Sequence, residues 1–414
     1  MTGLEIPRTV VVTGHFPPET GGVQTFTWEF VRRLPAEQLI VIAPAWSGAA
    51  QFDARLPFPV IRRHGYLLFR DLPHIVAEHR AEVGWITAMA PFGLYAPLLR
   101  RAGLSRLVGS THGQELGWLR AWPTRLAFGR MAASVDTMTY LSEATRAQLD
   151  PVVHGRTNLD QLAGGTDIDR FHPGAGGRRI RERYGFGDDP VVVSVGRLVR
   201  RKGFDVLMQA WPEVRRMVPR ARLLIVGDGP MLKALRSFAA EQEPGSVVVT
   251  GPVTYADLPA HYDCGTVFVL ACRDDRGGLQ TEGLGLSVLE ASASGLPVVV
   301  GKSGGSAASV QPGKTGLLID ARMPERVAMK LVGVLASGGQ GHVLGEAGRR
   351  WVTEQWTWPA AAQRLAAILR GEKLANVQPE GGPDLTPVLP QELSRRRRWT
   401  YFGDRDNPAG GRSA

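Results

Sequence analysis

Short apolar runs, each followed by glycine or polar residues and then by a helical pattern, recur along most of this 414-residue chain. An apolar run of about four to eight residues bounded by turn residues is typical of a strand buried on both faces of a parallel sheet. The alternation of such runs with amphipathic helices predicts an α/β fold. The predicted strands occupy residues 9–13, 39–43, 83–87, 107–109, 137–141, 159–162, 191–195, 222–226, 246–250, 266–270 and 298–300.

The repeats form two series, which predict two Rossmann-like, doubly wound domains facing a cleft. The chain is long enough for two domains of about 150 to 200 residues each. Between the two series, Arg, Gly and Asp dominate with little apolar periodicity, so this stretch is predicted to be a linker or hinge. The predicted boundaries are residues 1–169 for the first domain, 170–189 for the linker and 190–345 for the second domain.

The C-terminal part has a different composition. Residues 346–370 contain three tryptophans within positions 351–358 and then an Ala-rich helical pattern, which we interpret as helices that return toward the first domain. Pro, Gly and polar residues dominate residues 371–414, and we expect this tail to be disordered. Four arginines at 395–398 precede three aromatic residues, a combination that allows contact with acidic lipid, although such runs are more often simply solvated.

The stretch 276–301 combines two glutamates with a glycine-rich segment. Glu282 and Glu290 flank Gly283, Leu284 and Gly285, and a small-residue helical pattern and a Val run follow. This order predicts a loop, a helix, a glycine stop and a buried strand. The backbone N–H groups of such a loop can bind phosphate or sugar oxygens at the helix N-terminus. On the residues alone, an ordinary loop-helix-strand unit of an α/β domain explains the stretch equally well.

Two further candidates follow strands of the first domain. Gly21 and Gly22 lie between the first predicted strand and a helical pattern, where glycines let the backbone approach a ligand closely. A turn that needs a positive φ explains this glycine pair equally well. His112 follows the strand at 107–109 and precedes a glycine. A lone histidine is more often a hydrogen-bonded structural residue, but its position after a strand favours a functional role.

The net charge of +10 is distributed unevenly. Residues 171–370 carry 25 basic and 18 acidic residues, whereas residues 1–170 carry 17 and 15. A surplus in the second half suits a nucleotide diphosphate, and the chain lacks the continuous basic stripe or aromatic platform of a nucleic-acid binder. No apolar run approaches the length of about 20 residues that spans a bilayer, and no secretory signal is recognised, so we expect a cytoplasmic protein.

We expect neither a metal site nor a disulfide. The two cysteines, Cys264 and Cys272, have neither CxxC nor zinc-site spacing. Two Asp-x-Asp motifs, at 167–169 and 404–406, fall at the predicted domain junction and in the tail, and we interpret both as chance.

Four segments together resemble the family 4 retaining glycosyltransferases, which have the two-Rossmann GT-B fold. These segments are FPPETGGVQ, SVGRLVRRKGFDVL, VGDGP and EGLGLSVLEASASGLPVV, and the resemblance covers about residues 8 to 370. The Glu282-x7-Glu290 signature, with Arg197 and Lys202 about 80 residues earlier, makes the resemblance specific. Within the family, the forms FPPETGGVQ, STHGQE and RGGLQTEGLG are most similar to actinobacterial phosphatidylinositol-mannoside mannosyltransferases.

The resemblance implies a nucleotide-sugar donor and no required metal. Arg197 and Lys202 match the pair that binds the diphosphate, where a guanidinium and an ammonium would stabilise the charge that develops on the leaving group. Glu282, with the backbone from Gly283 to Gly285, matches the residues that hold the hydroxyls of the donor sugar. Glu290 matches the carboxylate that accepts hydrogen bonds from the ribose diol.

The resemblance also assigns roles in the first domain, which would bind the acceptor. Gly21 and Gly22 would approach the diphosphate from the side opposite the donor domain, and His112 would lie near the transferred sugar. Transfer with retention is usually drawn in this family as same-face attack by the acceptor hydroxyl, whose proton passes to the leaving phosphate.

We therefore expect a retaining hexosyltransferase that moves mannose from GDP-mannose to a phosphatidylinositol-type glycolipid at the cytosolic membrane face. Peripheral contact with an anionic membrane fits this expectation. An alternative is the same fold using a UDP- or GDP-sugar on a soluble small-molecule acceptor, such as a secondary metabolite or an aminocyclitol. A non-catalytic nucleotide-sugar-binding protein is an alternative of a different class, against which the intact Arg197, Lys202, Glu282 and Glu290 argue.

Overall fold

A computed structural model describes residues 4–19, 21–63, 71–119, 121–153, 155–275, 281–337 and 339–374, without the side chain of Gln114. All of these residues belong to one compact unit. The tail from residue 375 onward, including the arginines at 395–398, lies outside the described residues, and so do residues 276–280 of the glycine-rich stretch.

Seven parallel strands form the first sheet, in the order β3-β2-β1-β4-β5-β6-β7. This is the doubly wound order, which reverses direction between β1 and β4 and leaves a ligand crevice at the carboxyl ends of those strands. The four residues of β1 are all buried, as expected for a strand covered on both faces. The strands are β1 (Thr9–Val12), β2 (Leu39–Pro44), β3 (Val60–Arg63), β4 (Val83–Ile86), β5 (Arg106–Ser110), β6 (Thr137–Tyr140) and β7 (Asn158–Gln161).

The helices of the first half connect these strands. In the first helix, Phe26 and Phe30 are buried one turn apart and pack with ring centroids 4.7 Å apart, so this face of the helix is anchored in the core. The helices are α1 (Gly22–Val31), α2 (Ala49–Asp53), α3 (Leu72–Glu78), α4 (Met89–Phe92), α5 (Ala96–Arg101), α6 (Trp122–Ala132) and α7 (Glu143–Val153), with 3₁₀ turns at Ala36–Gln38, Gly93–Tyr95 and Gln114–Leu119.

Six parallel strands form the second sheet, in the order β10-β9-β8-β11-β12-β13. The second sheet therefore repeats the doubly wound order of the first, and the predicted α/β architecture of two Rossmann-like sheets is confirmed. Two strands, β3 and β13, were not predicted from the sequence. The strands are β8 (Val191–Val195), β9 (Arg222–Val226), β10 (Val247–Val249), β11 (Val267–Leu270), β12 (Val298–Gly301) and β13 (Leu317–Ile319).

Eight helices and two 3₁₀ turns complete the described part of the second half. Among the described residues, no helix is both long enough and apolar enough to cross a bilayer. The helices are α8 (Gly177–Tyr184), α9 (Phe204–Met217), α10 (Leu232–Ala240), α11 (Leu258–Asp263), α12 (Leu286–Ala293), α13 (Pro324–Ala336), α14 (Gln340–Gln355) and α15 (Trp358–Arg370), and the turns are Arg200–Lys202 and Gly304–Ser309.

The segment predicted as a linker contains a helix, α8, that its sequence pattern does not predict. Phe171, Ile180 and Phe186 from this segment are buried in the core of the second half. The carboxylate of Asp263, at the end of α11, accepts hydrogen bonds from the backbone N–H groups of Gly174 (2.7 Å) and Gly177 (2.6 Å). The three apolar residues are too widely spaced to produce a periodic pattern, and the exact domain boundaries stay a prediction.

The last helix, α15, belongs to the core of the first sheet. Trp358 and Leu365 are buried in one cluster with Phe30 and Trp85, and the Trp358 and Phe30 rings meet edge to face at 5.7 Å. The chain passes between the two halves near Thr166 and again near Trp356. These two segments run side by side and are joined by a hydrogen bond from the backbone N–H of Thr166 to Trp356 O at 2.8 Å. The C-terminal chain therefore completes the core of the first half.

Replacing Trp358 with alanine is expected to lower the free energy of unfolding by about 3 to 5 kcal/mol, because it removes a large buried side chain from a packed core. Trp122→Ala is the matched control, since Trp122 is 75% exposed and Trp358 is 4% exposed. Equilibrium urea unfolding followed by circular dichroism measures both variants. Equal stability of the two variants would contradict the assignment of α15 to this core.

Candidate functional site

A cavity of about 410 Å³ opens at the carboxyl ends of strands from both sheets. This is the edge at which doubly wound sheets bind ligands. The first half contributes His112, Gly113, Leu116, Ala144, Thr145 and Gln148, and the second half contributes Arg197, Val199, Arg201, Thr281, Glu282, Gly283, Gly304 and Gly305. A larger cavity of about 720 Å³ lies at the amino-terminal edge of β5 to β7 and contains none of the predicted site residues.

The carboxylate of Glu282 lies between two cations. Its Oε2 atom is 2.7 Å from a guanidinium nitrogen of Arg201 and 2.9 Å from Nζ of Lys202. Glu282 is buried, so these interactions are only weakly screened by solvent. Arg201 was not among the predicted site residues. The run Arg200-Arg201-Lys202 was the sequence signal, but the pattern did not reveal which of the three side chains point into the cavity.

The backbone of Glu282 is fixed as firmly as its side chain. Its N–H donates to Ser303 Oγ at 3.2 Å, and that hydroxyl donates in turn to Asp274 at 2.8 Å. Its carbonyl accepts a hydrogen bond from Gly305 N at 2.8 Å. Hydrogen bonds on both sides of the residue hold the carboxylate in one place before any ligand arrives.

The basic turn Arg200–Lys202 is pressed against the end of β11. Gly203 ends the turn with φ 75°, and a Cβ atom there would lie 1.7 Å from the carbonyl oxygen of Ala271, so only glycine fits. The backbone N–H of Arg273 donates to Arg201 O at 2.9 Å, and its guanidinium binds Asp205 in the first turn of α9 at 2.8 Å. These contacts fix the cations of the turn beside the β8–β11 switch point.

Unlike Arg201 and Lys202, Arg197 does not pair with Glu282 and remains available to bind an anion. It follows β8 and lines the cavity, and its side chain makes no ion pair or hydrogen bond with the described residues. A guanidinium presents five donors in a planar fork that matches phosphate oxygens. The cavity can therefore receive an anion such as a diphosphate without first breaking an ion pair of Arg197.

The loop from Gly283 to Gly285 connects the cavity to α12. Gly285 precedes the helix with φ 90°, a conformation that favours glycine. Gly283 faces the first half, because a Cβ atom there would be 3.6 Å from the carbonyl oxygen of His112. Leu284 is buried in the core of the second half. Of these three residues only Gly283 lines the cavity. Leu284 anchors the loop in the core, and Gly285 provides the turn into α12.

Glu290 lies farther along α12 and does not line the cavity. Its Oε2 atom accepts a hydrogen bond from the hydroxyl of Tyr262 at 2.6 Å. Although the side chain keeps some exposure, burial of the carboxyl raises the pKa of Glu290 to about 7, against the opposing effects of the Tyr262 hydrogen bond and the charge of Lys202. Glu290 therefore changes its ionisation near neutral pH.

His112 is held in one orientation by two elements of the first sheet. Its Nε2 atom is 2.6 Å from the carbonyl oxygen of Thr87, directly after β4. A carbonyl only accepts, so Nε2 carries the proton of the neutral ring and Nδ1 carries the lone pair. The ring also meets Phe26 edge to face at 4.7 Å. The result is a fixed hydrogen-bond acceptor at the cavity wall.

The buried residue Glu115 supports the site and is not among the residues predicted from the sequence. Its carboxylate accepts a hydrogen bond from the backbone N–H of His112 at 2.8 Å and so closes the turn that carries the histidine. The signal was a carboxylate three residues after the histidine in STHGQE, a spacing that suits a side chain capping a turn.

Gly21 and Gly22 lie at the start of α1, outside the set of residues that line the cavity. Gly21 has φ 166°, which is extended backbone, so the positive-φ explanation does not hold for it. A Cβ atom at Gly21 would lie 2.3 Å from Oε1 of Gln24, whereas one at Gly22 would meet nothing within 4 Å. A side chain at Gly21 would therefore displace the end of the Gln24 side chain.

The described residues hold no group of three or more His, Cys, Asp or Glu side chains placed to bind a metal ion. Cys264 and Cys272 are free and buried, and each thiol donates to a backbone carbonyl, of His261 at 3.2 Å and of Gly301 at 3.0 Å. Both cysteines are therefore small core residues.

Two family models match the two halves of the chain. Residues 20–170 match the model described as Glycosyltransferase Family 4, and residues 189–337 match the model described as Glycosyl transferases group 1. The second match contains Arg197, Lys202, Glu282 and Glu290, and the first contains His112.

Curated relatives match almost from end to end. The GDP-mannose-dependent alpha-(1-6)-phosphatidylinositol monomannoside mannosyltransferase of Mycobacterium tuberculosis is 41% identical, over 89% of this chain and 99% of that protein. The protein of the same name from Mycolicibacterium smegmatis is 40% identical over 88% and 99%. A GDP-mannose-dependent monoacylated alpha-(1-6)-phosphatidylinositol monomannoside mannosyltransferase of Corynebacterium glutamicum is 32% identical over 88% and 98%.

Solved structures share the same fold at low sequence identity. Anabaena HepE in complex with UDP superposes with a TM-score of 0.75 at 16% identity, over 88% of this chain and 100% of that chain. Sucrose-phosphate synthase from Thermosynechococcus elongatus superposes with a TM-score of 0.69 at 19% identity, over 88% and 98%. Taken with the two family models and the mannosyltransferase relatives, these matches show that the chain belongs to the family 4 glycosyltransferases and is a nucleotide-sugar-dependent hexosyltransferase with the GT-B fold.

Proposed function

We propose that this chain transfers mannose from GDP-mannose to a phosphatidylinositol-type glycolipid, with retention of configuration, at the cytosolic face of the membrane. The observation that carries the proposal is the meeting of Arg197, Arg201 and Glu282 with His112 in one cavity. Lys202 contacts the carboxylate of Glu282 from outside the cavity lining. The mannosyltransferase relatives, at 41% and 40% identity over nearly the whole chain, supply the donor and the acceptor class.

The cations of the second half stabilise the leaving group. As the glycosidic bond breaks, negative charge develops on the β-phosphate of the donor. Arg197 meets this charge with a guanidinium that has no partner among the described residues, and Lys202 adds an ammonium from the fixed basic turn. Prearranged charges of this kind need no reorganisation at the moment of reaction. We infer that they act in place of a metal ion, and we therefore expect undiminished activity in the presence of a chelator.

Glu282 and His112 hold the transferred sugar from opposite sides. Oε2 of Glu282 is occupied by Arg201 and Lys202, which leaves Oε1 to accept a hydrogen bond from a sugar hydroxyl. The lone pair on Nδ1 of His112 accepts from a second hydroxyl. The acceptor hydroxyl attacks the anomeric carbon from the side of the departing phosphate, forms the new bond as the old one breaks, and passes its proton to that phosphate.

Glu290 and the glycines of α1 complete the proposed donor site. The carboxylate of Glu290, oriented by Tyr262, accepts hydrogen bonds from the ribose diol. Gly22 has open space where a side chain would be, which allows the diphosphate to approach the N-terminus of α1. No nucleic-acid partner is part of this proposal.

The donor and acceptor are tested by measuring release of GDP and formation of mannosylated lipid. We expect transfer from GDP-mannose to a phosphatidylinositol monomannoside in the presence of EDTA, with an α-linked product by NMR. UDP-sugars, an acyl-free cyclitol and an aminocyclitol serve as comparison substrates. Activity confined to a UDP-sugar would overturn the donor assignment, and activity confined to the soluble acceptors would overturn the lipid assignment.

Lys202→Ala and Glu282→Ala are each expected to lower kcat by more than about tenfold, because each removes a group aimed at the charge or hydroxyls of the transition state. Arg178→Ala and Glu182→Ala form the matched control, since these residues make an exposed ion pair on α8. Turnover is measured on variants whose circular dichroism spectra match that of the wild type. A kcat near the wild-type value in either site variant would remove that residue from the reaction.

Affinity for GDP-mannose is expected to rise by about tenfold between pH of about 6 and 8, because Glu290 must lose a proton with a pKa of about 7 before both its oxygens accept from the ribose. The pKa of Glu290 is higher in the folded protein than in the unfolded chain, so the folded carboxyl keeps its proton at pH values where the unfolded one has lost it. The free energy of unfolding of the ligand-free protein therefore falls as the pH rises from about 5 to about 7. Calorimetric titration measures the affinity, and the two phosphates of the donor carry no titrating proton in this range.

Glu290→Gln is the control for that experiment, because the amide keeps the shape of the side chain and removes its titration. The variant is expected to bind the donor more weakly at pH of about 8 and with a flatter pH dependence. An unchanged pH dependence in the variant would assign the titration to another group.

A further inference from the structure

Three large apolar side chains are exposed on α6 and on a turn that packs against it. Trp122 and Leu126 lie one turn apart on α6 with 75% and 44% of their surface exposed. Leu94 is 54% exposed and belongs to the turn Gly93–Tyr95, which packs against α6. A tryptophan this exposed on a regular helix contributes nothing to the core, and grouped apolar side chains at a surface mark an interaction site.

The same part of the chain is strongly basic. Between Glu82 and Asp136 the sequence contains six arginines and one acidic residue, Glu115. Glu115 is buried against the backbone of His112, and Asp136 is paired with Arg100. On α6 itself, Arg125 and Arg130 are exposed and make no ion pair with the described residues. We call Leu94, Trp122, Arg125, Leu126 and Arg130 the α6 face.

The α6 face lies next to the acceptor side of the cavity. The turn Gln114–Leu119 begins two residues after His112, contributes Leu116 to the cavity wall and packs against α6. The hydroxyl of Thr124, on α6, donates to the carbonyl of Trp118 at 2.7 Å and joins the two elements. The turn Gln114–Leu119 thus connects the α6 face to the cavity wall beside His112.

We propose that the α6 face docks on the surface of an anionic lipid bilayer, with Trp122, Leu126 and Leu94 inserted among the headgroups and Arg125 and Arg130 bound to lipid phosphates. Indole and leucine side chains flanked by arginine are suited to this interfacial layer. The inference rests on the proposed lipid acceptor for its purpose, but it is carried by exposure and charge that the transfer reaction does not require.

A bilayer fits this surface better than a second copy of the chain. An isologous dimer through the α6 face would bring the arginines of both copies together without intervening acids, and like charges across an interface oppose association. An anionic bilayer offers a dense array of phosphates to the arginines and an apolar layer to the tryptophan, so one surface satisfies both kinds of side chain.

Co-sedimentation with vesicles tests the proposal. Full-length wild-type protein is expected to pellet with vesicles of phosphatidylcholine and phosphatidylinositol, and less with phosphatidylcholine alone. The double variant Trp122→Ala/Leu126→Ala is expected to bind the mixed vesicles at least about fivefold more weakly, and Arg125→Ala/Arg130→Ala is expected to lose most of the dependence on anionic lipid and on salt. Val343→Ala, at a residue 62% exposed on α14, is the control and binds as the wild type.

Two outcomes overturn the proposal. The first is binding by the α6 double variants equal to that of the wild type, including the case in which replacing the arginines at 395–398 abolishes binding instead. The second is a wild-type protein that does not bind vesicles of either composition. In that case, dissociation of a dimer by Trp122→Ala in sedimentation velocity would assign the α6 face to a second copy.

The test is independent of the transfer reaction. Release of GDP from GDP-mannose with a water-soluble, deacylated acceptor is measured in the same variants and is expected to be unchanged, since none of the α6 face residues lines the cavity. Vesicle binding without transfer to any lipid would remove the proposed acceptor and leave the docking surface in place. Transfer to lipid that is undiminished in the α6 variants would remove the docking surface and leave the proposed acceptor in place.

Discussion

The carboxylate of Glu282 and its two cations organise the rest of the site. A buried carboxylate is costly unless it is paired, and here Arg201 and Lys202 provide the charge while Ser303 and Gly305 hold the backbone. The pairing places two positive charges beside Arg197 in advance. The same contact joins the glycine-rich loop before α12 to the basic turn before α9. Two loops whose contacting residues, Arg201 and Glu282, are 81 positions apart thus form one wall of the cavity.

The fold follows from patterns that act locally. Apolar runs between glycine turns predict nearly all the strands, because a strand covered on both faces needs no polar side chains. The missed strands lack such a signal: β3 ends in two arginines, and β13 has only three residues. The helix α8 was missed for a different reason. Its segment contributes only a few buried residues, which are held by the carboxylate of Asp263 and not by an apolar stripe.

The site was predicted less completely than the fold. The resemblance supplied the residue types at Arg197, Lys202, Glu282 and His112, and the structure brings Arg197, Glu282 and His112 to one cavity, with Lys202 in contact with Glu282. A linear motif does not encode the direction of side chains on a 3₁₀ turn, so Arg201 was overlooked beside Lys202. Nor does it reveal that Glu115 holds the backbone of His112, because that contact depends on a turn of only four residues.

The position of α15 determines when the core of the first half receives its last residues during synthesis. Trp358 and Leu365 fill the core of a sheet whose last strand ends at Gln161. During synthesis, Phe30 and Trp85 therefore leave the ribosome long before Trp358 and Leu365, which complete their core. The second half has buried clusters of its own, and all of their buried residues precede α15 in the chain. The first sheet, although its strands come first in the chain, therefore receives its last core residues after all the strands of the second sheet have been translated.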